Sequence, residues 1–287
     1  MTLSDTLRLT LGSKFEHNET TGLETQPSAR LHWRASPTDT VWAAVSRAVE
    51  TPSRSTLDSQ INYRVEPPGS PFNIPGSPFP MVVGLRGHPG LVSQELVARE
   101  LGYRGLFGRH LSVDLTVFHN QYEKLVTAEG LRVVPGMPSS ATYGFANGLS
   151  GRTHGVELSS VWQVHPRWRL SGSLSTLRMK LTPDPSNSAF GAPGASPSRM
   201  AQLHVQHDLG QNLEADAHLY RNARLPDLNI PAHTRLDLRL GWRVHPALKL
   251  SLTGRNLLQR SHAEFRADDL QASTIRRSWL LQALWKF

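Results

Sequence analysis

The sequence holds no cysteine among its 287 residues. That excludes disulfides, thiol nucleophiles and thiolate metal sites, and leaves the cellular compartment open. It also has no apolar run approaching the roughly 18 residues of a membrane-spanning helix. Helical membrane proteins are thereby excluded. Membrane β-barrels are not, because their strands average out to a polar-looking composition. The first residues, Met1-Thr2-Leu3-Ser4-Asp5, carry neither the basic n-region nor the apolar h-region of a secretory leader. If the protein is exported, its N-terminal part is expected to be missing from this sequence. No segment keeps a helical period. The net charge is +8, but the arginines sit at alternate positions along the chain. That distribution suits a polar strand face better than a nucleic-acid patch, and no nucleic-acid partner is expected.

What the chain has instead is alternation, clearest in its last stretch. Phe287, Trp285, Ala283, Leu281 and Trp279 share one side of a strand, with Lys286, Gln282, Ser278 and Arg276 on the other and Leu280 and Leu284 as exceptions. One face is aromatic at both ends and apolar between, the pattern of a strand crossing a bilayer with girdle aromatics at two interfaces. An edge or core strand of a soluble sheet fits these thirteen or so residues equally well when they are taken alone, since period two is common to both. The rest of the chain decides between them. Leu236, Leu238, Leu240, Trp242 and Val244 oppose Arg235, Asp237, Arg239 and Arg243, and Leu248, Leu250 and Leu252 oppose Lys249, Ser251, Thr253 and Arg255. Leu213, Ala215, Ala217 and Leu219 oppose Glu214, Asp216 and His218; Leu111, Val113, Leu115 and Val117 oppose Ser112, Asp114 and Thr116. Counted by the period-two template, the chain has about twelve strands. Between Trp168 and Thr182 the apolar parity slips, from Leu170 and Leu174 to Leu177, Met179 and Leu181, which reads as a β-bulge.

The connections alternate between long and short. The short ones hold Pro37-Thr38, Gly108-Arg109, Pro166, Gly210-Gln211 and Pro246. The long ones are Asn18 to Gln26, Thr51 to Val92, the stretch from 127 to about Ser140, and 183 to 198. The Thr51–Val92 stretch is rich in Pro, Gly and Ser and is expected to form no packed core. Short turns on one rim and long loops on the other are the habit of an outer-membrane barrel. Strands of about ten residues or more also exceed the soluble mode of five or six. The fold is therefore read as all-β, an antiparallel transmembrane barrel. The charged faces cannot all be buried as ions without large cost. The apolar faces are accordingly assigned to lipid and the charged faces to a wet lumen, with Phe287 at the short-turn, periplasmic rim.

Several stretches resemble the TonB-dependent outer-membrane receptors. They are Trp42 to Arg54 before the long loop, Glu100-Leu101-Gly102-Tyr103-Arg104, Phe118-His119-Asn120-Gln121-Tyr122, Asn147-Gly148 with Gly155-Val156-Glu157-Leu158, Gly254-Arg255-Asn256-Leu257-Leu258, and the closing Trp285-Lys286-Phe287. Their order and spacing fit, over almost the whole chain. The resemblance implies an outer-membrane receptor for active uptake of a scarce small-molecule ligand such as a ferric siderophore. The family's barrels resemble the plugged class of about 22 strands. Residues 1–287 then look like the C-terminal portion of such a barrel, with no plug domain and with contact to TonB only through a plug this chain lacks. The terminal strand resembles the signal read by the barrel-insertion machinery, which places that role on Trp279, Leu281, Trp285 and Phe287. A smaller self-closed barrel acting as a passive pore is the alternative.

No catalytic constellation stands out, and no cofactor is expected. His204 and His207 fall on opposite strand faces, and His165 and His245 lie in turns, so no metal site is read from them. Asp237 and His218 fall on neighbouring lumen faces, where a polar lumen supplies such pairs by chance. Arg34, Arg235, Arg239 and Arg255 make the lumen positive and favour anionic ligands, or pair with lumen acids or a plug; the pairing reading is preferred. Ligand selection is expected in the Thr51–Val92 loop.

The terminal strand gives a test. In a complete receptor containing this sequence, deletion of Phe287 should lower surface-exposed protein in cells while refolding into detergent stays nearly intact. One interfacial aromatic contributes only about 1–3 kcal/mol of burial, whereas a feature read by the insertion machinery acts before the barrel exists. Trp285→Ala should show a milder split and Lys286→Ala almost none. Equal loss in both assays would make Phe287 an ordinary packing residue.

Overall fold

Alternating side chains leave each strand with one apolar and one polar face, so neighbouring strands must pair in a register that keeps like faces together. In the computed structural model, which describes residues 1–184, 193–266 and 274–287, they do so in chain order. The strands are β1 (Leu7–Asn18), β2 (Gly22–Arg34), β3 (Asp39–Glu50), β4 (Gln60–Glu66), β5 (Met81–Arg86), β6 (Gln94–Phe107), β7 (Leu111–Val134), β8 (Ser139–His165), β9 (Trp168–Pro183), β10 (Arg199–Asp208), β11 (Leu213–Asn222), β12 (His233–His245), β13 (Leu248–Arg255), β14 (Ser261–Ala263), β15 (Thr274–Arg276) and β16 (Ser278–Trp285). A single helical turn, α1 (Arg54–Asp58), lies between β3 and β4. One 14-stranded sheet runs β1-β2-β3-β6-β7-β8-β9-β10-β11-β12-β13-β16, with β4 and β5 off this path, and β14 and β15 form a separate pair. The path holds the twelve strands expected. Its pairings are antiparallel, and among the described residues β5 on β8 is the one parallel pairing.

The five short turns expected from the sequence lie on one rim. Lys286 donates its backbone N–H to the Ala247 carbonyl at 2.8 Å, which puts the chain end beside the β12–β13 turn, as expected for Phe287. Trp33, Trp162, Trp168, Trp242 and Trp285 all stand within a few residues of these turns on the apolar face. Trp279 stands at the other end of β16.

Four expectations need correction. The first connection is short, not long. Asn18 Oδ1 accepts the Thr20 and Thr21 N–H groups at 2.9 and 2.7 Å, and Gly22 takes φ +75°, so β1 and β2 form a tight hairpin. The stretch after 126 is strand as well: β7 continues to Val134 and β8 resumes at Ser139, with register shifts near Tyr122, Leu125 and Glu129.

The third correction concerns β9, where no bulge interrupts the pairing. The register with β8 is continuous from Arg169 to Pro183. What changes is the surroundings of the outer face. Leu101, Val117, Val156 and Thr176 make one cross-strand row on that face, and the next row up is Arg99, His119, His154 and Arg178. On β8 the outward apolar residues run only from Val156 to Val164, close to the nine to eleven residues a strand needs to cross a bilayer. Above that belt the outward side is wet, so Arg178 and Lys180 face out while Leu177, Met179 and Leu181 face in. An unbroken strand that leaves the apolar layer gives the same parity slip as a bulge.

The fourth is the Thr51–Val92 loop, which does pack. It carries α1 and the β4–β5 hairpin, and β5 docks on Ser139–Gly144 of β8. Met81, Val83 and Ala141 are buried together, with Ile74 and Tyr143 against them. Leu57 and Leu91 are buried as well. The long β8 supplies the surface that the Pro/Gly-rich composition could not reveal.

The belt makes a prediction. Leu158→Arg, inside it, should destabilise the folded protein in lipid vesicles by roughly 2–4 kcal/mol, read by urea titration. His154→Arg, four residues along the same face but above the belt, should cost less than about 1 kcal/mol. Equal losses would mean that the apolar layer does not end between these rows.

Candidate functional site

The polar face collects its charges into pairs between side chains of neighbouring strands, some directly opposite and some on the diagonal. Asp216 stands across from Gln206 and Arg239, Glu214 across from Asp208 and Gly241, and His218 across from His204 and Asp237. Arg239 reaches Asp216 and Glu214, both at 2.7 Å, and Lys249 meets Glu214 at 2.6 Å. Arg235 Nε donates to Asp237 at 2.9 Å and its guanidinium lies over the Tyr220 ring at 5.2 Å. Arg34 donates to the Asp5 carbonyl at 3.0 Å. For Arg235 and Arg239, then, the arrangement is pairing with wall acids.

Asp237 and His218 do come out as register partners, but their polar atoms are engaged elsewhere. Asp237 Oδ1 takes the Asn256 backbone N–H at 2.9 Å in addition to Arg235. His218 lies between His204, stacked at 3.6 Å between centroids, and the Tyr220 hydroxyl at 3.3 Å from Nδ1. His207 is on the opposite face, stacked on Trp168 at 3.8 Å. His165 and His245 serve their turns, each ring Nδ1 accepting a backbone N–H, from Arg167 and Ala247, at 3.3 Å.

Two further features line the polar side. Asp114, Thr116, Glu157, Ser159, Gln202 and Tyr220 border a groove of about 480 Å³ across β7 to β11. Toward the long-loop rim the β4–β5 hairpin covers the wall. Its bend is held by Asn73, whose buried amide donates to the Glu66, Pro67 and Phe79 carbonyls at 3.2, 3.1 and 3.0 Å. Phe72 remains 65% exposed at the hairpin tip, under the Arg64 guanidinium.

Sequence reasoning missed one cluster. His233 opens β12, His262 lies in β14 and Glu264 follows it; one ligand atom from each falls within 4.8 Å of the others. The trace available was His262-Ala263-Glu264, two polar residues on one side of a strand. Nothing in the alternation announces the approach of His233 from another strand.

The terminal-strand residues lie as the parity required. Trp279, Leu281 and Trp285 pair with Gly254, Leu252 and Leu248 on the apolar face and are 64%, 75% and 61% exposed. A Cβ at Gly254 would stand 2.6 Å from the Trp279 indole, so glycine there lets the ring lie flat on the sheet. The outer edge of β16 has no strand partner among the described residues. Neither does β1, apart from Met1 to Leu3 folding back on it through Leu9 N–H to the Met1 carbonyl at 2.9 Å.

Residues 1–257 match the family described as TonB dependent receptor-like, beta-barrel. None of the curated proteins matches the chain in sequence. Among solved structures the chain is similar to the siderophore receptor PirA of Acinetobacter baumannii, with 14% identity, a TM-score of 0.73 and coverage of 99% of this chain and 44% of that one. PirA of Pseudomonas aeruginosa gives 14% identity and a TM-score of 0.69 over 98% and 46% of the two chains. The ferric enterobactin receptor PfeA of the same organism gives 16% and 0.71 over 99% and 43%. The chain thus spans less than half the length of the receptors it matches.

Proposed function

Since the chain belongs to the TonB-dependent receptor-like β-barrel family, we propose that it is the C-terminal portion of an outer-membrane receptor wall, working in the uptake of a scarce small-molecule ligand such as a ferric siderophore. The family consists of receptors and transporters rather than enzymes, and its barrels are outer-membrane proteins. The observation that carries the reading is the pair of open edges. A spanning sheet must satisfy every backbone N–H and C=O inside the bilayer, and among the described residues the outer edge of β16 and that of β1 from Leu11 onward are unmet. Strands supplied from outside this sequence close the wall in the proposed receptor, consistent with coverage of 44% and 46% of the two PirA chains. A plug, also outside this sequence, carries the contact with TonB. The insertion machinery reads Trp279, Leu281, Trp285 and Phe287. The ligand reading draws support from the siderophore receptors among the structural relatives. It places ligand contact at the β4–β5 hairpin, where aromatic and cationic side chains meet at the long-loop rim.

The absence of native cysteine makes the closure testable. Thr10→Cys on β1, combined in turn with Leu280→Cys, Gln282→Cys or Leu284→Cys on β16, should give no intrachain disulfide in the folded protein. An intrachain link at any of these would mean that the sheet closes on itself, as a passive pore does.

For uptake, iron-starved cells carrying the complete receptor should accumulate a ferric siderophore from a defined panel, and deletion of residues 60–86 should reduce that accumulation while surface exposure of the receptor persists. Accumulation no higher than in receptor-less cells across the panel would overturn the ligand reading.

A further inference from the structure

We propose that His233, His262 and Glu264 form a binding site for one divalent transition-metal ion of the zinc class, at the long-loop end of the polar face. The proposal goes beyond the uptake reading and does not rest on it. Three observations carry it. The donors converge, with one ligand atom from each residue inside a 4.8 Å span. Both imidazoles are out of water, His233 at 8% and His262 at 7% exposure, and stack on each other with centroids 4.3 Å apart. Their Nδ1 atoms are buried without a hydrogen-bond partner, which is unusual for polar atoms in a folded protein and asks for a missing ligand. The Pro231 carbonyl approaches the His233 ring.

The cluster is already in mutual contact. Glu264 Oε1 lies 2.9 Å from His262 Nε2, and the Asn222 amide lies 3.2 Å from His233 Nε2. Asn256, fully buried, donates to the carbonyl of Ile275, the register partner of His262, at 3.0 Å. That bond ties the β14–β15 pair to the end of β13. Arg221, on the opposite face of β11 from Asn222, is turned to Thr234 Oγ1, to which it donates at 2.9 Å. The Glu264 side chain is 45% exposed and can swing toward the imidazoles.

Donor chemistry selects the ion. Two imidazole nitrogens and one carboxylate oxygen form a set used by zinc, with a fourth position open to water or to another ligand. Calcium and magnesium prefer all-oxygen shells, while copper and nickel compete for imidazole. Zinc bonds of about 2.0–2.1 Å put tetrahedral donors about 3.3 Å apart. Closing the cluster onto an ion takes a movement of an ångström or so, within reach of side-chain rotation.

The experiment uses the complete protein that contains this chain, folded in detergent micelles, its folded fraction identified by heat-modifiable migration. Co²⁺ is titrated while the visible absorption of a tetrahedral nitrogen–oxygen site is followed, and Zn²⁺ is then added in competition. One Co²⁺ per chain, displaced by one Zn²⁺, is expected. His262→Ala and Glu264→Gln should each weaken binding at least about tenfold, since even loss of an outer-shell partner costs about 10–100-fold. Glu264→Gln changes a half-exposed side chain and keeps the fold intact should His262→Ala fail to refold. His165→Ala and His245→Ala, in the turns at the far rim, should bind as the parent does. No saturable cobalt band, or equal binding by parent and Glu264→Gln, would overturn the site.

Discussion

A bilayer offers no hydrogen-bond partners to a peptide group, and the architecture of the spanning sheet follows from that constraint. It forces the spanning segments into a sheet, fixes their antiparallel order through short turns at one rim, and makes the free edges of β1 and β16 the least tolerable part of the structure. In a soluble sheet an open edge is a hazard managed with charge, bulges or proline. Here Leu280 and Leu284 on the polar side of β16 add apolar surface to the unmet backbone. Both features suit the proposed wall, in which a further strand covers this edge. The fold-back of Met1 to Leu3 covers only the start of β1 and leaves the edge from Leu11 to Asn18 without a backbone partner among the described residues.

The same constraint explains how much of the fold was legible in the sequence. Within the apolar layer each residue is either toward lipid or toward the polar side, so period two is enforced and the strands can be counted from Leu236, Leu238, Leu240 and Trp242 opposite Arg235, Asp237 and Arg239. The short turns are legible for a related reason. His165-Pro166-Arg167 and His245-Pro246-Ala247 each close on a ring nitrogen that takes up a turn N–H, so local chemistry alone determines them. Outside the layer neither rule applies. β7 and β8 run far past the belt, and their upper residues alternate weakly because both faces there meet water or protein. The β4–β5 hairpin was unreadable because its stability comes from docking on β8, 58 residues away in sequence, and not from its own propensity.

Along the polar face the ion pairs form a ladder across β10 to β13. Exposed ion pairs contribute little stability, of the order of 0–1 kcal/mol each. Their role here is to neutralise a face too densely charged to stand alone. Arg239 serves two carboxylates and Glu214 two cations, so no single pair is isolated. That arrangement also explains why the chance meeting of His218 and Asp237 amounts to so little. Asp237 is spent on Arg235 and on the Asn256 N–H that anchors the end of β13, and His218 is held by rings on either side.

Departures from alternation therefore carry more functional information than alternation does. Where the pattern is perfect, the residues answer to lipid and to register, and little freedom remains for recognition. The parity change on β9, the row Arg99-His119-His154-Arg178, the hairpin tip at Phe72 and the buried His233–His262 pair all lie beyond the apolar layer on the long-loop side. The sheet there is still long enough to hold side chains in fixed relation, but it is released from the demand for an apolar outer face. Residues from separate strands then meet on chemical terms: an exposed Phe72 beneath Arg64, two desolvated imidazoles beside a carboxylate. Loops on a rigid scaffold are where binding groups concentrate, and here the scaffold extends above the membrane to meet them. The rim with the tight turns has no such freedom, since each of its connections is only long enough to reverse the chain.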